Sequence, residues 1–174
     1  MGRWIASAVM FGLSALAGSG QAFAADPCQP VPAAVSRYLT ASPGWRLVEP
    51  RDLVPDDRAL WGRYHAAACP GMAEVKLSGP KDRAFAIAVI KASDGRMRER
   101  LVLIRRDRQP QVLTDIAGDA PSVVWKAGPG AARAFGTGKR IRIPNESFVF
   151  EKMEASATQY FLRSGKIETL LISD

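Results

Sequence analysis

The sequence predicts an α+β fold in which two N-terminal helices pack on a curved antiparallel meander sheet of about six to nine strands. From Cys69 onward, apolar and polar residues alternate in short segments, separated by polar turn signals about every ten residues. No helical spacing of useful length follows Cys69. This argues against parallel strands, which need crossover helices to join them.

Both helices are predicted from apolar spacing and from the positions of prolines. In residues 30–42 the apolar side chains, Tyr38 among them, recur at helical spacing, and Pro43 with the following glycine ends the helix. A second helix is predicted over 55–67, because Pro55 suits a first helical turn and the two acids after it favour the positive end of the helix dipole.

The strands are predicted from alternation and from turn signals. Segment 83–92 is apolar on both faces, which indicates a central strand, and the alanines of one face predict a helix packed closely against it. An Asp-Gly turn over 93–96 leads into the returning strand. The predicted extended segments are 45–48, 71–78, 83–92, 98–106, 111–116, 122–126, 139–143, 147–154, 158–163 and 166–172.

Residues 1–24 have the composition of a secretory signal peptide. Arg3 precedes a short apolar run, and Ala22-Phe23-Ala24 fits the A-x-A cleavage site. The run is too short to span a membrane as a helix. We therefore expect cleavage after Ala24, a periplasmic or secreted protein without a membrane span in the mature chain, and a single disulfide-bonded domain over 25–174.

Cys28 and Cys69 are the only cysteines of the chain. An even count in an oxidising compartment, with no C-x-x-C motif, favours a disulfide over a metal site or a catalytic thiol. An alternative pairs Cys69 with His65, which would share a helix face with it. Pro70 and the glycine after it indicate that the helix has ended before that point.

The net charge of +7 is concentrated in two segments. Residues 81–108 carry nine bases and four acids, and residues 126–142 carry five bases and no acid. Strand periodicity places Arg96, Arg98 and Arg100 on one face, and Arg140 and Arg142 on another shared face beside Lys139. These six residues predict a site for an acidic protein, a phosphate-bearing envelope polymer or anionic lipid headgroups. The alternative is a solvated edge that deters aggregation.

The Gly-rich stretch 127–140 does not fit a phosphate-binding loop. Arg133 stands where such a loop needs glycine, and Arg140 stands where it needs serine or threonine. We interpret the stretch as a mobile basic loop and as a candidate contact surface.

The order of these features resembles a loose group of small exported bacterial α+β proteins of unassigned function. The residues that carry the resemblance are the Leu-Val-Pro-Asp-Asp stretch at 53–57, the Cys-Pro-Gly-Met-Ala stretch at 69–73, the strand at 84–89 and the C-terminal hairpin around Gly165. The resemblance implies one exported α+β domain and no catalytic residues.

Three functions remain open on the sequence. The first is a secreted or periplasmic binding module, of inhibitor or immunity type, that docks its basic sheet face and Gly-rich loop onto an acidic partner. The second is a small envelope hydrolase that uses His65, the only histidine, although no G-x-S-x-G motif is present. The third is a structural envelope protein without a specific ligand. We expect no cofactor, no metal and no nucleic acid partner.

Overall fold

The structure is a computed structural model and describes residues 26–93 and 95–174. The predicted signal segment 1–24 and Asp94 of the predicted turn lie outside the described residues. The helices are α1 (Ala33–Ala41) and α2 (Pro55–His65), with a short 3-10 turn at Pro50–Asp52. The strands are β1 (Arg46–Leu47), β2 (Met72–Val75), β3 (Ala84–Ser93), β4 (Arg96–Arg105), β5 (Gln111–Gly118), β6 (Val123–Ala127), β7 (Gly130–Arg133), β8 (Arg140–Ile143), β9 (Ser147–Lys152), β10 (Ser156–Arg163) and β11 (Lys166–Ser173).

The described strands form three antiparallel sheets, so the prediction of two helices on one meander sheet is wrong. The front sheet has the order β1-β3-β4-β5, with β2 also paired to β3. The back sheet has the order β11-β10-β9-β6, and β7 and β8 form a separate two-stranded hairpin. The chain leaves the front sheet after β5, and β6 then pairs with β9. The fold is mostly β, with two helices at its N-terminal end.

The main core lies between the front and back sheets. Ala86, Ala88 and Leu103 of the front sheet share this core with Phe148 and Tyr160 of the back sheet. Trp61 of α2 is buried in the same cluster, and its indole nitrogen donates to the Ala68 carbonyl at 3.0 Å. Both helices predicted from the sequence are therefore present, and α2 closes one side of this core.

α1 packs on the other face of the front sheet. Its buried Val35 meets Ile87, Val89 and Val102, which form the bulkier face of β3 and β4. α1 therefore does not lie on the alanine face of β3, where the sequence predicts a helix. The small side chains instead allow the back sheet and Trp61 to approach closely from the other side.

The hairpin forms the outermost layer behind the back sheet. Ala132 and Ile141 lie opposite each other in its register and pack with Phe161 and Leu170. Tyr160 and Phe161 are neighbours in β10 and belong to different cores, so the hairpin lies on the outer face of the back sheet. The stretch that was predicted as a mobile loop thus contains strand β7, because its alanines fill an apolar layer.

The disulfide predicted from the sequence is present. Cys28 and Cys69 are bonded, both are buried, and their Cα atoms are 4.6 Å apart. The bond connects the segment before α1 to the entry of β2. At this entry Gly71 accepts a hydrogen bond from the Ala88 amide, and a Cβ on Gly71 would lie 2.4 Å from the Val48 carbonyl oxygen.

Candidate anion-binding sites

Arg96, Arg98 and Arg100 of β4 lie on the face of the front sheet that carries α1. Arg98 pairs with Lys91 and Arg100 pairs with Val89 across the β3–β4 ladder, so these side chains share one face. The predicted grouping of Arg96, Arg98 and Arg100 therefore agrees with the strand register. We call these three residues the β4 row.

Asp115 of β5 neutralises two members of the β4 row. It is the register partner of Arg100, whose Nε lies 2.7 Å from the Asp115 carboxylate, and Arg98 donates to the other carboxylate oxygen. The hydrogen bond from Arg100, helped by that from Arg98, lowers the pKa of Asp115 against the opposing effect of burial. Arg100 also lies 4.1 Å from the centre of the Trp45 ring. These contacts hold Arg98 and Arg100 in place.

Arg96 lies near the turn end of β4, in a neighbourhood of mixed charge. It lines an open hollow of about 650 Å³ together with Lys91, Arg46, Asp52 and Asp119. Arg46 is itself bound to Asp52 at 2.6 Å. The acids and bases of this hollow largely offset each other.

Lys139, Arg140 and Arg142 lie in another layer of the molecule. They belong to the hairpin and its loop, which pack behind the back sheet, whereas the β4 row lies on the outer face of the front sheet. The structure thus brings the six predicted residues together as two separate groups of three.

A third basic site, which the sequence interpretation did not select, is a groove of about 920 Å³ between α1 and the β4–β5 turn. We call it the arginine groove. Among the described residues that line it, Asp107 is the single acid, and the bases are Arg37, Arg83, Arg105, Arg106 and Arg108. Tyr38, Phe85 and Ile104 line the same groove and supply apolar surface.

Three of the groove arginines have no carboxylate partner among the described residues. These are Arg37, Arg106 and Arg108. Arg83 is held by Glu74 through two contacts of 2.7 Å, and Arg105 lies 3.7 Å from Asp82.

Arg105 also carries an unused donor. Its Nε is buried without a hydrogen-bond partner in the described part of the chain. Buried donors are normally satisfied, so this atom is unusual in a folded protein. The groove lining therefore includes three arginines without a carboxylate partner, and Arg105, whose buried Nε has no hydrogen-bond partner in the described part of the chain.

The run Arg105-Arg106-Asp107-Arg108 was the sequence signal for this groove. It lies inside the basic segment 81–108, in which strand periodicity predicts a shared face only for the three arginines of the β4 row. Arg37 and Arg83 reach the groove only through packing of α1 on the front sheet. Linear charge counting does not report that packing.

His65 at the end of α2 has aromatic neighbours. Its ring lies 4.4 Å from the Trp61 ring and 5.4 Å from the Trp125 ring, between centres. The Trp125 indole nitrogen donates to Glu151 at 2.7 Å. Burial lowers the pKa of His65, and the Glu151 charge opposes this effect. Both cysteines are in the disulfide, so no free thiol accompanies this histidine.

Comparison with known protein families, curated proteins and solved structures finds no match to this chain. Neither described helix is long and apolar enough to cross a membrane. Within 26–93 and 95–174, no group of histidine, cysteine, aspartate and glutamate side chains is arranged to hold a metal ion. The fold and sites define a mostly β, disulfide-bonded protein with localised basic surfaces.

Proposed function

We propose that the protein is an exported binding module whose arginine groove takes an acidic segment of a partner protein. The observation that carries the proposal is the composition of the groove. Five arginines and one aspartate line it together with the apolar residues Phe85 and Ile104, which we call its floor. Guanidinium groups bind carboxylates in a bidentate geometry and are common anchors in protein interfaces. An acidic segment with an interspersed apolar side chain matches both parts of the lining.

The unpaired arginines set the charge preference of this site. Arg37 lies on the α1 wall, and Arg106 and Arg108 lie on the opposite wall at the β4–β5 turn. A carboxylate-bearing chain between these walls would neutralise charges that no described acid neutralises. The floor residues Phe85 and Ile104 belong to the core under α1, so the base of the groove is already ordered before a ligand arrives.

The proposed contact surface extends from the groove to the β4 row. Tyr38 lines the groove and also interacts with Arg100, whose pKa is raised chiefly by Asp115 and further by Tyr38. Arg96 and Arg98 continue this surface toward the β3–β4 turn. A surface of this extent would suit a protein of inhibitor or immunity type, as the sequence predicts.

Two features support the export part of the proposal. The first is the signal-like segment with its Ala22-Phe23-Ala24 site. The second is the buried disulfide, which is typical of oxidising compartments.

Short labelled peptides test this proposal directly. One peptide consists of glutamates interrupted by phenylalanines, a second replaces the phenylalanines with glycines, and a third replaces the glutamates with lysines. Fluorescence anisotropy should show the tightest binding for the first peptide and none for the third. Charge reversal by Arg106→Glu with Arg108→Glu should weaken binding of the first peptide by about tenfold or more.

The hairpin supplies a matched control. Arg140→Glu with Arg142→Glu changes the net charge by the same amount in a different layer, and should change peptide affinity by less than about threefold. Equal losses in the two variants would show that net charge alone drives binding. Equal binding of the phenylalanine and glycine peptides would show that the apolar floor does not contribute to affinity.

A further inference from the structure

The outer face of the hairpin carries arginines that directly face each other. Arg133 and Arg140 are register partners, and Arg142 lies on the same outer face, opposite Ala131. Like charges directly opposite in an antiparallel pair are destabilising. None of these arginines has a carboxylate partner among the described residues.

The register keeps these arginines outward. Ala132, Ile141 and Ile143 occupy the other face of the hairpin and pack against the back sheet. A slip of one residue would move them out of that core. On the β4 row, by contrast, Asp115 neutralises Arg98 and Arg100. The outer face of the hairpin has no such carboxylate among the described residues.

An exposed aromatic side chain lies at the end of the hairpin. Phe135 is 48% exposed, and its amide donates to the Leu171 carbonyl at 2.8 Å, which fixes the backbone beside the edge of β11. The loop turns through Gly136 and Gly138, both with positive φ. The Arg133 guanidinium lies over Gly138, close enough that a Cβ there would be 3.1 Å from it. Lys139 follows directly in the sequence, so Arg133 and Lys139 both lie at the loop that carries Phe135.

We propose that this hairpin docks the protein on an anionic phospholipid surface. Arg133, Lys139, Arg140 and Arg142 would contact the headgroup phosphates, and Phe135 would insert at the level of the headgroups. A row of bases with an exposed aromatic side chain at its end is typical of segments that lie at membrane interfaces. The lipid phosphates would supply the negative charge that no described residue places beside Arg133 and Arg140. This site is independent of the arginine groove.

Vesicle sedimentation tests the inference with the full mature chain. The protein should sediment with vesicles of phosphatidylglycerol and phosphatidylcholine, and stay in solution with vesicles of phosphatidylcholine alone. Arg140→Glu with Arg142→Glu should reduce binding by about tenfold or more, because each base near such a surface contributes to attraction. Phe135→Ser should reduce binding by about threefold or more, through loss of the inserted ring.

Insertion of the ring is tested with a reporter at the same position. The emission of a Phe135→Trp variant should shift to shorter wavelength on anionic vesicles and be quenched by brominated lipid chains. Circular dichroism melts establish that each variant is folded. The variant Arg106→Glu with Arg108→Glu, which changes the groove, should keep its vesicle binding.

Three outcomes would overturn the inference. They are equal binding to neutral and anionic vesicles, unchanged binding of the hairpin variant, and equal loss in the hairpin and groove variants. An unquenched tryptophan at position 135 would overturn the insertion of this side chain. Because the groove is tested with peptides and the hairpin with vesicles, failure of one proposal is separate from failure of the other.

Discussion

The buried carboxylate of Glu99 accepts two hydrogen bonds from Ser122. The Ser122 amide donates at 2.6 Å and its hydroxyl donates at 3.0 Å. Glu99 lies on the inner face of β4 and is 2% exposed, and Ser122 immediately precedes β6. The contact therefore fixes the segment where the chain passes from the front sheet to the back sheet.

The first prediction concerns pH. Burial raises the pKa of Glu99, and the Ser122 bonds and Lys152 oppose that effect. The folded state then holds this proton more tightly than the unfolded state, so the free energy of unfolding should fall as pH rises from the ordinary glutamate pKa to the raised one. Urea titrations at several pH values should show that the free energy of unfolding falls less with rising pH in Glu99→Gln than in the wild type. Parallel curves for the two proteins would contradict this assignment.

Truncation of the same side chain should be costly at every pH. Glu99→Ala leaves the buried Ser122 amide without its acceptor and opens a cavity, which should lower the free energy of unfolding by about 2–4 kcal/mol. Glu74→Ala is the control, because it removes an exposed ion pair with Arg83 and should lower the free energy of unfolding far less than Glu99→Ala does.

The next prediction concerns Asp115, whose pKa is lowered by Arg100 and Arg98. A carboxylate whose pKa is lower in the folded state stabilises the fold at pH values above its pKa in the unfolded state. This stabilisation is lost as the pH falls through its pKa in the folded state. Asp115→Asn should therefore destabilise near neutral pH and match the wild type in strong acid. The side chains are partly exposed, so the difference should stay below about 1 kcal/mol and shrink in salt. Asp119→Asn, which breaks no ion pair among the described residues, should show no such difference.

Two glycines should respond to alanine in opposite directions. Gly71→Ala places a Cβ against the Val48 backbone, which cannot move without disturbing β1. This variant should lower the free energy of unfolding by about 2 kcal/mol or more. Gly62 lies in the interior of α2, and a Cβ added to it would meet no neighbouring atom. Gly62→Ala should therefore raise the free energy of unfolding by about 0.5–1 kcal/mol, because alanine has the higher helix propensity. Thermal melts of the two single variants measure the contrast. Destabilisation by Gly62→Ala would show that Gly62 does not have the conformation of a helix interior.

Local signals predicted the helices, most of the strands and the disulfide. Pro55 and the acids after it define the start of α2, and alternation over 83–92 defines β3. Alternation reports which residues share a face, but not which strand is the neighbour. The pairing of β6 with β9 depends on contacts distant in sequence, so the three sheets were not predicted.

The sites show the same limit. Strand periodicity places Arg98 and Arg100 together, but Asp115 reaches them only through the pairing of β4 with β5. The sequence does not predict β7, because its Gly-Ala-Ala-Arg segment has little side-chain contrast. Its strand conformation depends on pairing with β8 and on packing of Ala132 against the back sheet. The export, binding and docking assignments remain predictions for the experiments above.

The bond between Cys28 and Cys69 closes a covalent ring that contains both helices. A protease that cuts the chain once between these residues opens the ring and releases nothing. α1, which forms one wall of the arginine groove, stays attached to β2 after such a cut. The nicked protein would migrate as one species on a non-reducing gel and separate into two fragments only after reduction.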